Sequence, residues 1–188
     1  MKINIPNVLT WLRILAIPLV VGVFYLPDTY LGPSEKNQTA TFLFVLAAIT
    51  DWLDGWLARK LDQQSAFGAF LDPVADKLMV AAALIVLVQL GRCDALIALI
   101  IIGREIAISA LREWMAQLGK AKSVAVNALG KIKTIVQMIA IPLLLFHDSF
   151  LGLFVAQVLG DWFIWAAAIL TLVSMAYYLK AALPMLRG

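Results

Sequence analysis

Apolar and polar positions in this chain alternate in whole segments. Long runs of Leu, Ile, Val, Ala and Phe are separated by short stretches rich in Pro, Gly, Asn, Gln and Lys. Each run is close to the roughly 20 residues a helix needs to cross a hydrocarbon core. The pattern predicts six spanning helices, at about residues 8–26, 39–59, 70–89, 95–115, 131–146 and 154–179. The boundaries fall at turn-forming clusters. Residues 27–38 read as a Pro/Gly/polar loop and 117–130 as a polar, small-residue loop. Pro73 is placed in the first turn of the third helix, where its missing N–H costs least. No internal repeat, low-complexity segment or soluble domain is visible, so residues 1–188 read as one domain.

Composition agrees. The chain is 63% hydrophobic and 14% charged, whereas a soluble domain is nearer half apolar and a quarter charged. The prediction is an all-α integral membrane protein. A single cysteine, Cys93, rules out an internal disulfide. No cleavable leader is expected, because the first apolar run carries Arg13 and lacks a clear small-residue cleavage site. The net charge of +3 is modest and suggests no nucleic-acid partner; its distribution is more informative. With the amino end cytoplasmic, that side collects Lys2, Arg59, Lys60, Lys120, Lys122, Lys131, Lys133, Lys180 and Arg187, against Lys36 and Arg92 on the other. Basic residues favour the cytoplasmic side, so both termini are expected inside.

Four carboxylates stand around the second connection: Asp51, Asp54, Asp72 and Asp76. Asp51 and Asp54 lie within one helical turn, about 60° apart. Gly55 and Ala58 share that face, so a bulky ligand could approach the backbone there. Asp72 and Asp76 form an i,i+4 pair stacked on one face of the next helix. Two such pairs on adjacent helices would converge on a small volume and repel strongly without a cation. Oxygen-only ligands favour a hard ion, so Mg2+ or Mn2+ is expected, with two ions a possibility. Charged side chains in spanning segments are costly, which makes a functional role the default. Helix capping at the interface would suit Asp72 beside Pro73, but not four acids at this spacing.

The pattern Asp51-x2-Asp54-Gly55-x2-Ala58-Arg59-x8-Gly68-x3-Asp72-x3-Asp76 resembles the signature of the CDP-alcohol phosphotransferases at every position and gap. The opening Asn4-Ile5-Pro6-Asn7-Val8-Leu9-Thr10-Trp11-Leu12-Arg13 is similar to the start of the branch that makes phosphatidylglycerophosphate. So are Arg104-Glu105-Ile106, Ser109-Ala110-Leu111-Arg112-Glu113 and Gly130-Lys131-Ile132-Lys133-Thr134. The resemblance implies that family's fold, and attack of glycerol 3-phosphate on the lipid-linked phosphorus of CDP-diacylglycerol with loss of CMP. It implies that Asp51, Asp54 and Asp72 bind one metal ion and that Asp51, Asp72 and Asp76 bind the second. Asp76 would be the base that takes the proton of the attacking hydroxyl. Gly55, Arg59 and Ser65 match positions that hold the CDP part, although the signature itself does not fix Ser65. Ala58 and Gly68 join them as signature positions. Asn7, Thr10 and Arg13 resemble an element that borders the nucleotide; Asn7 and Thr10 could equally be capping residues. A homodimer in the bacterial cytoplasmic membrane, among membrane lipids, is a further expectation from the resemblance; the charge bias puts the site on the cytoplasmic side.

The physical chemistry is consistent with this. Two divalent ions can neutralise a pyrophosphate that would otherwise repel an incoming alkoxide. Arg59 offers a forked donor set suited to phosphate oxygens. Glycerol 3-phosphate is small and anionic, so its pocket needs cations. Glu105, Ser109 and Arg112 share one face of the fourth helix, and Arg104 lies off it and must turn to a partner or a wet cavity. Arg112 and Lys131 are preferred for the acceptor phosphate, ahead of Arg104 and Lys133. Lys133 can also be read as topological charge, and Arg104 with Glu105 as a buried structural pair. Lys77 either tempers the acids or snorkels to the interface. His147 reads as a solvated loop residue far from the acids, and the Trp and Tyr residues as interfacial belts and core.

Two alternatives stand beside this reading. Within the family, the acceptor could be inositol phosphate, serine or phosphatidylglycerol, which the signature does not discriminate. An ion transporter would also need a carboxylate cation site, but is expected to hold its acids near mid-membrane in broken or repeated helices.

Overall fold

The computed structural model describes residues 5–60, 66–119, 128–150 and 154–186. Its helices are α1 (Ile5–Gly22, followed by a tighter turn over Val23–Tyr25), α2 (Pro33–Lys60), α3 (Ala66–Gln89), α4 (Ala95–Gln117), α5 (Ala128–Phe146) and α6 (Ala156–Leu186). Two short strands, β1 (Ser149–Phe150) and β2 (Phe154–Val155), pair antiparallel just before α6.

Two boundaries differ from expectation. α2 starts within the stretch read as a loop. Pro33 occupies its first turn, and Glu35 accepts from the Gly32 N–H at 2.8 Å, the reciprocal half of a capping box. α3 starts at Ala66, so Pro73 sits inside the helix and not in its first turn. Proline there has no N–H for the i−4 carbonyl, and one rung of the ladder is missing. The Lys77 ammonium donates to the Pro73 carbonyl at 3.0 Å.

Helix ends are held by identifiable contacts. α3 closes on a Schellman motif: Gly91 takes a φ of +68°, its N–H reaches the Val88 carbonyl at 3.0 Å, and the Arg92 N–H reaches that of Leu87 at 2.8 Å. Asp94 then caps α4, accepting from the Leu96 N–H at 2.7 Å.

α1 and α3 run side by side in the same sense: Thr10 meets Asp72 near one end, and Tyr25 meets Gln89 at 3.1 Å near the other. α4 and α6 are also parallel, joined by Arg104 to Ser174 and by Arg112 to Tyr178. α5 packs along α6, where Gly160 lets the helices come close. A Cβ at Gly160 would lie 2.8 Å from the Leu144 side chain and 3.1 Å from its backbone nitrogen.

The main core includes Phe44, Leu84, Leu87, Ile101, Ile141, Leu144 and Ile164. A smaller cluster of Ile108, Met115, Tyr178 and Ala182 lies toward the acidic end. The outer faces are apolar, with Leu15, Leu19, Ile85, Leu99 and Ile169 exposed, as expected of a surface that meets lipid. Trp11, Trp52 and Trp114 are exposed toward one end, and Tyr25, Trp162 and Trp165 toward the other, as in interfacial belts. By length and composition Val8–Tyr25, Leu129–Phe146 and Ala156–Leu183 could cross a membrane. α2, α3 and α4 carry more charged side chains along their length.

At the end away from the acids, Arg92 links three helices. One of its nitrogens donates to the Leu145 carbonyl at 2.9 Å and another to Asn37 Oδ1 at 2.8 Å. Asp148 accepts from Ser34 at 2.9 Å beside them. Burial lowers the Arg92 pKa, and Asp148 opposes that shift. His147 is half-buried in this turn, with a φ of +61° and its Nδ1 enclosed, so it is not the solvated residue expected.

Candidate active site

Three helices bring the acids together. Thr10 and Arg13 are i,i+3 on α1, and Asp72 and Asp76 are i,i+4 on α3, so the parallel helices meet in two rungs. Thr10 donates to Asp72 at 2.5 Å. Arg13 Nη1 donates to Asp76 at 2.6 Å and lies 2.7 Å from Asp51 of α2. The Arg13 side chain is only 2% exposed, so burial strengthens its hold on both acids.

Asp51, Asp72 and Asp76 line one cavity of about 420 Å³. Among the described residues no three acidic, His or Cys side chains close around a point as a metal cage. Their chemistry still fits a hard divalent ion: the donors are carboxylate oxygens, and two already converge on a cation, the Arg13 guanidinium. Asp54, Gly55, Ala58 and Arg59 lie on α2 and Asn7 on α1, but their side chains fall outside the description, as does Ser65 entirely. Gly68 is buried in the first turn of α3.

The opposite wall is basic. Arg104, Glu105, Ile108, Ser109 and Arg112 of α4 line it with Lys133, Thr134 and Gln137 of α5. Arg104 thus reaches the cavity from off the expected face. The ammonium of Lys133 donates to Glu105, and Arg104 Nη1 lies 3.5 Å from the same carboxylate. Three cations against one acid leave this wall positive. Arg104 Nε and Arg112 Nε are buried donors with no acceptor among the described residues, and such groups are costly to leave unmatched.

One preference is reversed. Lys131 is exposed and absent from the cavity lining, while Lys133 is 1% exposed and lines it. Residues two apart lie about 200° apart around a helix, so the roll of α5 decides which lysine faces inward. Sequence reasoning gave no site role to Tyr178, which contacts both arginines of the wall. An aromatic residue in an apolar run carries no signal that separates it from core.

Matches to known proteins agree with this architecture. The family profile described as CDP-alcohol phosphatidyltransferase matches residues 3–173. A protein of Shigella flexneri serotype 5b (strain 8401) named CDP-diacylglycerol--glycerol-3-phosphate 3-phosphatidyltransferase is 47% identical over 184 residues, covering 97% of this chain and 96% of its own length. The protein of that name from Escherichia coli (strain K12) matches with the same identity and coverage. With nearly its whole length matched and with acids of α2 and α3 facing one cavity, this chain belongs to the CDP-alcohol phosphatidyltransferase family.

Proposed function

We propose that this chain transfers the phosphatidyl group of CDP-diacylglycerol to sn-glycerol 3-phosphate, giving phosphatidylglycerophosphate and CMP. The observation that carries this reading is the division of one cavity into an acidic wall from α2 and α3 and a basic wall from α4 and α5. A nucleotide-activated lipid and an anionic phosphoalcohol can meet between them. The name shared by the relatives supports the choice of acceptor.

In this reading Asp51, Asp54, Asp72 and Asp76 hold Mg2+ or Mn2+, two ions per site. When bound, the ions offset the charge of the pyrophosphate and polarise its phosphorus. Asp76 accepts the proton of the attacking hydroxyl, at the short range that general base catalysis requires. Gly55, Ala58, Arg59, Ser65, Gly68, Asn7 and Thr10 frame the CDP-lipid. Arg104, Arg112 and Lys133 hold the acceptor phosphate, and the buried Nε donors of the two arginines, without an acceptor among the described residues, support that role.

The same reading places one domain, residues 1–188, as a homodimer in the bacterial cytoplasmic membrane, with six spans, both termini and the cavity on the cytoplasmic side. The bias of basic residues, the aromatic belts and the apolar exterior support the membrane placement and its orientation. Purified protein supplied with Mg2+ or Mn2+ and CDP-diacylglycerol should release CMP on addition of glycerol 3-phosphate. Release with serine, inositol phosphate or phosphatidylglycerol, and none with glycerol 3-phosphate, would move the assignment within the family.

A further inference from the structure

The basic wall is supported from a helix that has no residue among the described ones lining the cavity. Tyr178 of α6 is fully buried. The guanidinium carbons of Arg104 and Arg112 lie 5.5 and 5.1 Å from its ring centre. Arg112 Nη2 also donates to the Tyr178 hydroxyl at 3.0 Å. One turn earlier, the Ser174 hydroxyl accepts from Arg104 Nη2 at 3.1 Å and donates to the Thr171 carbonyl at 3.0 Å. Two long, flexible side chains of like charge are therefore held against one aromatic ring.

The ring offsets part of the mutual repulsion, because its electron-rich face attracts each cation. It also fixes rotamers that would otherwise have to be ordered when an anion binds. With their outer nitrogens anchored on α6, both arginines still keep a buried Nε donor free of any acceptor among the described residues. A tetrahedral anion in the cavity is the natural partner for such donors.

We propose that Tyr178 is the positioning residue of the acceptor site: its ring and hydroxyl set Arg104 and Arg112 as a preformed clamp for a phosphate monoester. The proposal rests on the reading that the basic wall receives the acceptor phosphate. The ring faces both arginines and the hydroxyl accepts from Arg112, so the two contributions separate by substitution.

The test is a set of Michaelis constants for both substrates on detergent-purified wild type, Tyr178→Phe and Tyr178→Leu. Tyr178→Phe should raise KM for glycerol 3-phosphate about threefold to tenfold, and Tyr178→Leu about thirtyfold or more. KM for CDP-diacylglycerol should stay within about twofold, as should kcat, since the clamp binds ground and transition states alike. A parallel rise in both Michaelis constants would mean a general packing role for Tyr178 and would also overturn the proposal. A folded Tyr178→Leu protein with unchanged acceptor KM overturns the proposal. Should that variant not fold, an unchanged acceptor KM in Tyr178→Phe overturns it. The second readout needs no turnover: inorganic phosphate or glycerol 3-phosphate, without CDP-lipid, should raise the melting temperature of wild type more than that of either variant. Such Tyr178-dependent protection with no CMP release from glycerol 3-phosphate would uphold the clamp and refute the proposed acceptor. Equal protection of all three proteins would refute the clamp.

Discussion

Arg13 and Asp76 meet across the α1–α3 seam at 2.6 Å, although 63 positions separate them in sequence. The same Arg13 nitrogen lies 2.7 Å from Asp51. A fixed internal cation therefore holds two carboxylates that would otherwise repel each other. Arg13→Gln removes that charge and should destabilise the protein by about 2 kcal/mol, given that both acids are partly exposed. Thermal unfolding in EDTA checks this. Added Mg2+ should restore part of the lost melting temperature, and should restore more in the variant than it adds to wild type.

Asp76→Asn keeps the shape of the side chain and removes its charge and basicity. Turnover should fall about a hundredfold or more, within the range for loss of a general base. Affinity for CDP-diacylglycerol, measured by equilibrium binding, should change far less. Unaltered turnover would remove the base assignment.

The two lysines of α5 should behave differently. Lys133→Ala removes a cavity cation and leaves Glu105 to the more distant Arg104, at 3.5 Å, so the acceptor KM should rise about tenfold or more. Lys131→Ala changes an exposed side chain and should leave it within about threefold. Steady-state kinetics with varied glycerol 3-phosphate distinguish the two, and the reverse order would mean that α5 is rolled differently.

Gly160→Ala places a methyl group 2.8 Å from the Leu144 side chain, against a backbone nitrogen that cannot move aside. The expected cost is about 1–3 kcal/mol, typical of overpacking. It should appear as a lower melting temperature, with the Michaelis constants of the folded fraction unchanged.

Burial, with Asp94 and Asp161 nearby, pushes the Cys93 thiol up to about 11. The thiolate is the reactive form, so the thiol is largely inert at neutral pH. Its alkylation by iodoacetamide should quicken about tenfold per pH unit and still be rising at about pH 10. A plateau near pH 9 would contradict the enclosed position of this side chain.

Much of this arrangement was legible in the sequence because helical periodicity carried it. The stacking of Asp72 on Asp76 and the shared face of Glu105, Ser109 and Arg112 follow from spacing, and the six helical segments from the length of the apolar runs. The start of α2 was also written there, in Pro33 and Glu35, but the surrounding polar residues disguised it. Pro73 misled because local preference disfavours proline inside a helix, and tertiary packing overrode it. The choice between Lys131 and Lys133 depends on how α5 rolls against α6, which no local pattern records. Arg92 binds backbone carbonyls, which every residue possesses, so its partners leave no trace in composition. Tyr178 looks like any other buried aromatic until its neighbours on α4 are seen.

The knot around Arg92 has a practical corollary. It binds α2, α3 and α5 at the end remote from the cavity, through groups that take no part in the proposed chemistry. Heat-resistant variants sought by changing residues there should therefore run at undiminished speed, a separation seldom offered by enzymes whose stability and catalysis share the same side chains.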